Sequence, residues 1–170
     1  MIQMVRRVLV TLFQIEKTLT QVAALPYVER RKGMEILLIT SRRRKRWILP
    51  RGWPIDGESY AIAAAREAEE EAGAVGMIGE TAIGDYVYDK RTGDGYRVPC
   101  RVFVYPLLVS HQMLQWREKA ERDTRWCDLE TAVSLVRHEG LSAFLLNLAR
   151  SPDTRATIRS TIENNIMKAN

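Results

Sequence analysis

One stretch, residues 52–74, constrains this chain more than any other, because its composition departs furthest from that of an ordinary globular sequence. A turn-forming segment (GWPIDGES) leads into an alanine-rich run, which is followed by four glutamates within five residues and then by Gly73. Alanine is the best helix former, and a glycine just beyond such a run is the usual helix stop. The pattern predicts a helix over residues 58–72, with Asp56 or Gly57 capping its start.

Two kinds of side chain divide the surface of this predicted helix. At 3.6 residues per turn, five alanines share one stripe that lets the helix lie close against a sheet: Ala61, Ala64, Ala65, Ala68 and Ala72. Glu67, Glu70 and Glu71 fall together on the adjoining face, where each like-charged pair costs about 0.2–0.5 kcal/mol. Two arrangements offset this repulsion: a salt bridge from Arg66 to Glu70 on a solvated helix, or a divalent cation such as Mg²⁺ held by the carboxylates. The spacing alone leaves both open.

Length, composition and charge describe one domain with short extensions. The chain has 170 residues, of which 46% are hydrophobic and 28% are charged, and these are ordinary values for a globular domain. We expect an N-terminal extension over residues 1–20, a central domain over 21–150 and a C-terminal helical extension over 151–170. A net charge of +5 suits anionic ligands such as phosphates and nucleotides.

The cysteines and the hydropathy of the sequence indicate the cellular compartment of the protein. Cys100 and Cys127 lie far apart and form no CxxC pattern, so we interpret them as reduced thiols in the core of an intracellular protein. No run approaches the length of a membrane span, and the short apolar run over residues 8–13 lacks a signal-peptide cleavage site. The sequence therefore predicts a cytoplasmic protein that has no membrane partner.

Strands precede and follow the acidic helix along the chain. Apolar and β-branched runs predict strands over residues 21–29, 35–41, 82–90, 96–109 and 124–127, the first two forming a hairpin. Pro26 in the first run suggests an edge or a bulge. Further helices are predicted over residues 129–137, 141–150 and 154–168, whereas residues 1–20 fit either a strand or a helical face. This order favours an α/β sandwich with a mixed β-sheet.

The spacing of the fixed residues in the opening stretch resembles the signature of the Nudix hydrolase family, Gx5Ex7REUxEExGU. All seven fixed identities are present: Gly52, Glu58, Arg66, Glu67, Glu70, Glu71 and Gly73. Ala68 and Ala74 fill the two positions that larger aliphatic residues usually take. The resemblance covers about residues 20–150 and implies an α/β/α sandwich. It also implies hydrolysis of a nucleoside or other organic group linked to a diphosphate, with Mg²⁺ or Mn²⁺ as cofactor.

The resemblance further implies a role for each residue of the signature. Glu67 and Glu71 would be metal ligands, and Glu70 would be either a ligand or the catalytic base that takes a proton from the attacking water. Gly52 would offer a backbone carbonyl near the metal, while Glu58 and Arg66 would tie the loop to the helix. These roles fit the chemistry, because cations and arginines stabilise the negative charge of a pyrophosphate under attack.

Within the family, the surrounding residues most resemble the diphosphoinositol polyphosphate phosphohydrolases, which also cleave diadenosine polyphosphates. The matching stretches are residues 37–42 and 46–52, together with Arg125 and Trp126. By this resemblance Ser41, Arg42 and Arg101 would contact substrate phosphates, together with Arg51 and Gly52 at the edge of the signature.

Two departures from that pattern remove positive charge. Residues 20–22 lack the basic pair that those enzymes carry, and Glu139 stands about where a lysine is expected. Both changes favour a smaller polyphosphate, such as a dinucleoside polyphosphate, over a very highly phosphorylated inositol.

Two functions from different classes follow. The first is a Mg²⁺-dependent pyrophosphohydrolase that acts on a polyphosphorylated anion. The second is a non-catalytic Nudix-fold module that binds or senses a nucleotide or RNA, and the complete glutamate set argues against it. The substrate is therefore an anionic, phosphorylated small molecule, nucleic acid is not the expected partner, and residues 1–20 are a candidate surface for a homodimer.

The sequence singles out a few further side chains without assigning them. Trp53, directly after Gly52, is a candidate for contacting substrate. Glu118, Glu121 and Asp123 lie where many Nudix enzymes place one extra acidic residue, and the sequence does not choose among them. The two histidines, at positions 111 and 138, are expected at the surface.

Overall fold

Two long strands, β1 (Leu19–Arg30) and β7 (Arg97–Gln112), form the centre of the sheet in the computed structural model, which describes residues 18–93 and 95–169. They run parallel, in register from Leu19 beside Cys100 to Tyr27 beside Leu108. Every residue of β1 from position 21 to position 27 is buried. Burial of successive residues means that both faces of the central strand are covered, as a sandwich requires.

The other described elements are six strands and four helices, numbered here in chain order. They are β2 (Gly33–Thr40), β3 (Trp47–Ile48), β4 (Arg51–Gly52), α1 (Tyr60–Ala72), β5 (Ala74–Ile78), β6 (Gly84–Arg91), β8 (Thr124–Asp128), α2 (Leu129–Leu135), α3 (Glu139–Arg150) and α4 (Pro152–Ala169). The main path through the sheet is β3-β2-β1-β7-β5, while β4 pairs with β1, β6 with β7 and β8 with β2. Apart from β1 and β7, the described pairs are antiparallel. This mixed sheet with helices confirms the predicted fold class.

The proline of β1 lies inside the sheet, so the predicted edge or bulge is wrong. β1 pairs with β4 through Val22 and Ala23 and with β2 only from Tyr27 onwards, in the predicted hairpin. Pro26 falls between these two partners, so its missing N–H interrupts neither antiparallel ladder.

The acidic helix α1 begins at Tyr60, and its N-cap is Ser59, whose hydroxyl accepts a hydrogen bond from the backbone N of Ile62 at 3.2 Å. It ends at the predicted stop, Gly73, which adopts the left-handed conformation with φ 64°. In that conformation the Gly73 N–H donates to the carbonyl groups of Ala68 and Glu69 in the last turns of the helix.

The predicted capping residues lie one turn too early. Residues 55–58 form a turn in which the backbone N of Glu58 donates to the carbonyl of Ile55 at 3.1 Å. The Glu58 side chain then meets Arg66 at 3.5 Å. Asp56 and Gly57 are therefore part of the loop that leads to the helix.

The buried face of α1 is built from alanines, as predicted, although Ala63 belongs to it and Ala65 lies at its margin. The helix packs against β1, β4 and β5, so its buried face is wider than the predicted stripe of alanines. Because these side chains are small, the helix backbone comes close to the strand that carries Gly52.

Several local predictions need correction. β3 and β4 have two residues each, too few for a periodic signal, and β5 was not predicted either. The break between α2 and α3 lies over residues 136–138 rather than near Gly140. Residues 1–17, for which strand and helix remained open, and Asp94 in the β6–β7 connection lie outside the described residues.

The two cysteines are free and buried, which confirms the predicted core thiols. Over residues 18–93 and 95–169, no helix has both the length and the hydropathy needed to cross a bilayer.

Candidate active site

A cleft of about 800 Å³ opens beside α1 and β4, and its lining is strongly basic. Eight basic side chains line it: Arg42, Arg43, Arg44, Arg46, Arg51, Arg66, Lys90 and Arg122. Four acidic side chains accompany them: Glu67, Glu71, Asp89 and Glu118. An excess of one charge along the walls of a concave site raises the local concentration of ligands of the opposite charge. The cleft therefore suits an anion.

Gly52 and Glu67 lie against each other in this cleft. Gly52 pairs with Val22 in the ladder between β4 and β1, which fixes its backbone. A Cβ atom at position 52 would lie 2.2 Å from the carboxyl carbon of Glu67, far inside the contact distance. Only glycine permits this close approach. Arg66 holds the carboxylate from the other side, with Nη1 2.8 Å from Oε1.

Glu71, one helical turn after Glu67, is held by two other elements. Its Oε2 accepts a hydrogen bond from the backbone N of Arg51 at 3.0 Å, which joins α1 to β4. Its Oε1 accepts from the Nη2 of Arg122. The exposed fraction of the side chain is 8% for Glu71 and 6% for Arg122, so this ion pair is buried.

Arg122 links the helix to the loop over residues 113–123, which joins β7 to β8. Its Nε lies 2.6 Å from Oε2 of Glu118, and its Nη1 donates to the carbonyl of Thr40 at 3.0 Å. Glu71 and Glu118 thus share the guanidinium group of Arg122. Of the three acidic residues left open by the sequence, Glu118 is the one that lines the cleft.

Both the half-buried Glu67 and the buried Glu71 of α1 have a raised pKa. Burial raises the pKa of Glu67, and the charges of Glu70 and Glu118 raise it further against the opposing effect of Arg66. Burial likewise raises the pKa of Glu71 to about 7, although Arg122 and the backbone N–H of Arg51 oppose the shift. These are carboxylates whose negative charge is incompletely compensated.

The donor set fits a divalent cation of the Mg²⁺ or Mn²⁺ type in its chemistry. Such ions prefer hard oxygen ligands, and Glu67, Glu71 and Glu118 offer them in a site where Gly52 leaves room for close approach. Within the described part of the chain, no three acidic, histidine or cysteine side chains are already grouped as a cation site. Arg66 and Arg122 also contact these carboxylates, so a cation would share the carboxylates with the guanidinium groups.

Glu70 is not brought into the cleft with the other two glutamates. Its Oε2 lies 2.7 Å from Nη1 of Arg117, and its backbone carbonyl accepts from the backbone N of Glu118 at 3.0 Å. The salt bridge to Arg66 that the spacing offered is long, at 4.0 Å. The i, i+4 pair of Glu67 and Glu71 therefore faces the cleft, while Glu70 faces the 113–123 loop.

Ser41 and Arg42, for which the resemblance implies contact with substrate phosphates, both line the cleft. The Ser41 hydroxyl accepts from the backbone N of Arg46 at 3.1 Å and closes the loop between β2 and β3. Arg42 pairs with Glu118 at 3.9 Å and with Glu121 at 3.5 Å, so its exposed guanidinium already has anionic partners.

Arg51 of β4 lines the cleft. Its guanidinium lies 4.0 Å above the ring of Tyr88, and Nη1 donates to the Tyr86 hydroxyl at 3.0 Å. The partners found for this guanidinium are phenol groups, which carry no charge at neutral pH. Its positive charge is thus well placed for an anionic ligand.

Arg101, like Glu70, is a predicted site residue that lies outside the cleft. It is exposed on β7, where it pairs with Asp85 of β6 at 3.4 Å, and it does not line the cleft. Its neighbours Cys100 and Val102 are fully buried, so strand alternation turns Arg101 to the other face of the sheet.

Sequence reasoning missed several residues of the cleft. Tyr88 and Lys90 line it together, and their spacing of two on β6 is the signal that could have found them. His138 also lines it, partly exposed, and its Nδ1 accepts a hydrogen bond from the backbone N of Leu141 at 3.3 Å, which caps α3. Nothing local marks Arg122, because its partner Glu71 lies 51 residues away in sequence.

Comparisons with known proteins identify the family. A model of the NUDIX domain matches residues 18–147. The chain is 28% identical over 133 residues to Nudix hydrolase 12, mitochondrial, of Arabidopsis thaliana, covering 76% of this chain and 66% of that protein. It is 30% identical over 141 residues to diphosphoinositol polyphosphate phosphohydrolase 2 of Rattus norvegicus, covering 78% of this chain and 74% of that protein.

The fold has a solved counterpart in the Ap4A hydrolase of C. elegans. The TM-score is 0.57 at 19% identity, covering 78% of this chain and 96% of that one. Identity this low supports likeness of fold alone. The chain spans 60–66% of the length of the first three plant relatives that it matches.

Proposed function

Because the chain belongs to the NUDIX domain family, we propose that it is a pyrophosphohydrolase that requires Mg²⁺ or Mn²⁺ and cleaves a phosphoric anhydride bond. Its substrate is a polyphosphorylated small molecule, such as a dinucleoside polyphosphate or a diphosphoinositol polyphosphate. One observation carries the proposal: Glu67 and Glu71 lie one turn apart in a cationic cleft, with the Glu67 carboxylate against the backbone of Gly52.

Glu67 and Glu71 hold the cation in this proposal, and Glu118 is the third carboxylate within reach. A bound divalent cation would offset the negative charge of the phosphates. It would also lower the pKa of a water molecule bound to it, so that the water could act as a nucleophile at neutral pH. The protein's own contribution is to keep both carboxylates fixed, through Arg66 on Glu67 and the backbone N–H of Arg51 on Glu71. Glu70, which lies outside the cleft, remains the sequence-based prediction for the catalytic base.

Phosphate binding falls to the basic residues of the cleft. Arg51 is the first of them, because its contacts are uncharged and it adjoins Gly52 in β4. Arg42 and Ser41 flank the opposite wall, and Arg42 exchanges Glu118 and Glu121 for phosphate oxygens when substrate binds. Arg101 would need a substrate that extends beyond the cleft, so we give it no part in binding a small polyphosphate.

The test is a substrate panel of dinucleoside polyphosphates, nucleotide sugars, NADH and diphosphoinositols, assayed with and without Mg²⁺. Glu67→Gln and Glu71→Gln should each lower kcat by about 100-fold or more, because several kcal/mol of charge stabilisation is lost. Glu69→Gln is the matched control, since Glu69 is exposed on the same helix and does not line the cleft. Circular dichroism verifies that all three variants are folded.

The same panel decides between catalysis and binding alone. Heat of binding for a polyphosphate without product formation would support a non-catalytic module and contradict the proposal. Activity that is equal in wild type and in both glutamine variants would also contradict it. The cytoplasmic location, the homodimer and the domain boundaries at residues 21 and 150 remain predictions of the sequence.

A further inference from the structure

Two exposed apolar side chains line this basic cleft, beside the less exposed Trp47 and Ile48. Trp53 is 44% exposed and Ile55 is 53% exposed. Of the large hydrophobic side chains left exposed over the described residues, these two line the cleft. A phosphate site alone has no use for an exposed indole, because phosphates are bound by cations and N–H groups.

The position of Trp53 is fixed although its ring is exposed. Its backbone carbonyl accepts from Nη2 of Arg66 at 3.3 Å, and the same arginine holds Glu67. Trp53 also follows directly on Gly52, whose backbone is fixed by pairing with Val22 and lies against the Glu67 carboxylate. The backbone that carries the indole is therefore fixed, one residue along the chain from the glycine that lies against Glu67.

A cation accompanies the indole. Nζ of Lys90 lies 4.5 Å from the centroid of the Trp53 ring, and both residues line the cleft. Burial lowers the pKa of Lys90, and the charge of Arg51 lowers it as well, so a phosphate beside Lys90 would offset an unfavourable environment. An aromatic face, an ammonium group and the Arg51 guanidinium thus succeed one another along a single cleft.

This succession matches the parts of a nucleoside polyphosphate. A nucleobase stacks on an aromatic side chain, whereas an inositol ring has no π-face to offer. We infer that Trp53 is a specificity-determining residue that stacks on the base of a nucleoside polyphosphate, and that it makes this protein prefer such a substrate to a diphosphoinositol. The inference rests on the proposed function, of which it names the substrate class.

The experiment compares ligands with and without a base on wild type and Trp53→Ala. Binding of diadenosine tetraphosphate and of inorganic tripolyphosphate is measured by calorimetry, and kcat/KM is measured for diadenosine tetraphosphate and a diphosphoinositol polyphosphate. For diadenosine tetraphosphate, Trp53→Ala should raise Kd and lower kcat/KM by about 5- to 150-fold, which is the usual effect of losing one stacking contact. It should change tripolyphosphate and diphosphoinositol by less than about twofold, since neither has a base to stack.

Two further variants separate stacking from structure. Trp53→Phe keeps an aromatic face and should retain most of the preference. Tyr96→Ala removes another exposed aromatic side chain, which does not line the cleft, and should leave every ligand unaffected. Equal losses for ligands with and without a base would overturn the inference, and so would no loss for diadenosine tetraphosphate.

The outcome is distinguishable from failure of the proposed function. If wild type hydrolyses nothing, the proposed function fails, and the calorimetric comparison still decides whether Trp53 recognises a base. If Glu71→Gln abolishes hydrolysis while Trp53→Ala changes nothing, the inference fails alone.

Discussion

The buried pair of Arg122 and Glu71 offers the sharpest prediction about stability. Replacing Arg122 with methionine keeps an unbranched side chain of similar reach but removes the guanidinium. Glu71 and Glu118, whose side chains are 8% and 15% exposed, then lose their shared cation. Removing one partner of a buried ion pair typically costs about 3–5 kcal/mol, because the other charge is stranded. Against a typical total stability of about 5–15 kcal/mol, such a loss is large.

The assay is urea unfolding at pH 8 with EDTA, followed by circular dichroism. Arg117→Met is the matched control, because Arg117 pairs with Glu70 at 2.7 Å but its side chain is 70% exposed. Exposed pairs contribute about 0–1 kcal/mol, so the control should lose little. The double variant Arg122→Met with Glu71→Gln removes the stranded charge on the helix and should recover about 0.5–3 kcal/mol of the loss.

The pH dependence has a definite sign. The pKa of Glu71 is raised from 4.5 to about 7, so below pH 7 the folded protein keeps a proton that the unfolded chain releases. Stability from this group therefore rises as the pH falls from 7 towards 4.5, and the cost of Arg122→Met should shrink over the same interval. A loss no larger than that of Arg117→Met at pH 8 would refute the buried-pair reasoning.

Two further predictions concern other walls of the cleft. Gly52→Ala places a Cβ 2.2 Å from the Glu67 carboxyl carbon, so the carboxylate must move. We expect kcat to fall by about 100-fold, while the midpoint of unfolding by urea is nearly unchanged. Gly93→Ala, at a glycine with open space around it, is its control, and equal kinetics for the two variants would contradict the steric argument. Burial and the charge of Arg51 lower the pKa of His138. As the pH falls below about 6.5, the imidazole is therefore protonated more readily in the unfolded chain than in the folded protein, and this difference lowers the free energy of unfolding. His138→Asn keeps an acceptor for the α3 cap without titrating, so its urea midpoint should drop less than that of wild type between pH 8 and pH 5. The same drop in both proteins would show that His138 is not responsible.

The helical part of the site could be predicted because its information is local. The spacing of Glu67 and Glu71 puts both on one face of any helix, and the stop at Gly73 needs only the left-handed conformation that glycine tolerates. The start at Ser59 was missed because Asp56, Gly57 and Ser59 are all preferred N-cap residues, and a backbone hydrogen bond from Glu58 to Ile55 holds the first two in a turn.

The rest of the cleft depends on which strands become neighbours. Arg122 reaches Glu71 across 51 residues of sequence, and Lys90 reaches Trp53 only once β6 lies beside β7. The position of Arg101, in contrast, was available from alternation, since a strand that buries Cys100 and Val102 must turn the residue between them away.

Isotope incorporation tests the central claim most directly. The wild-type protein is incubated with diadenosine tetraphosphate and Mg²⁺ in ¹⁸O-enriched water, and the products are analysed by mass spectrometry. Attack of water on an anhydride phosphorus predicts one solvent oxygen in one of the two phosphorylated products. It also predicts no product when Mg²⁺ is removed with EDTA, and none above background for Glu71→Gln. Labelled product that forms equally without the cation or without the Glu71 carboxylate would contradict the account.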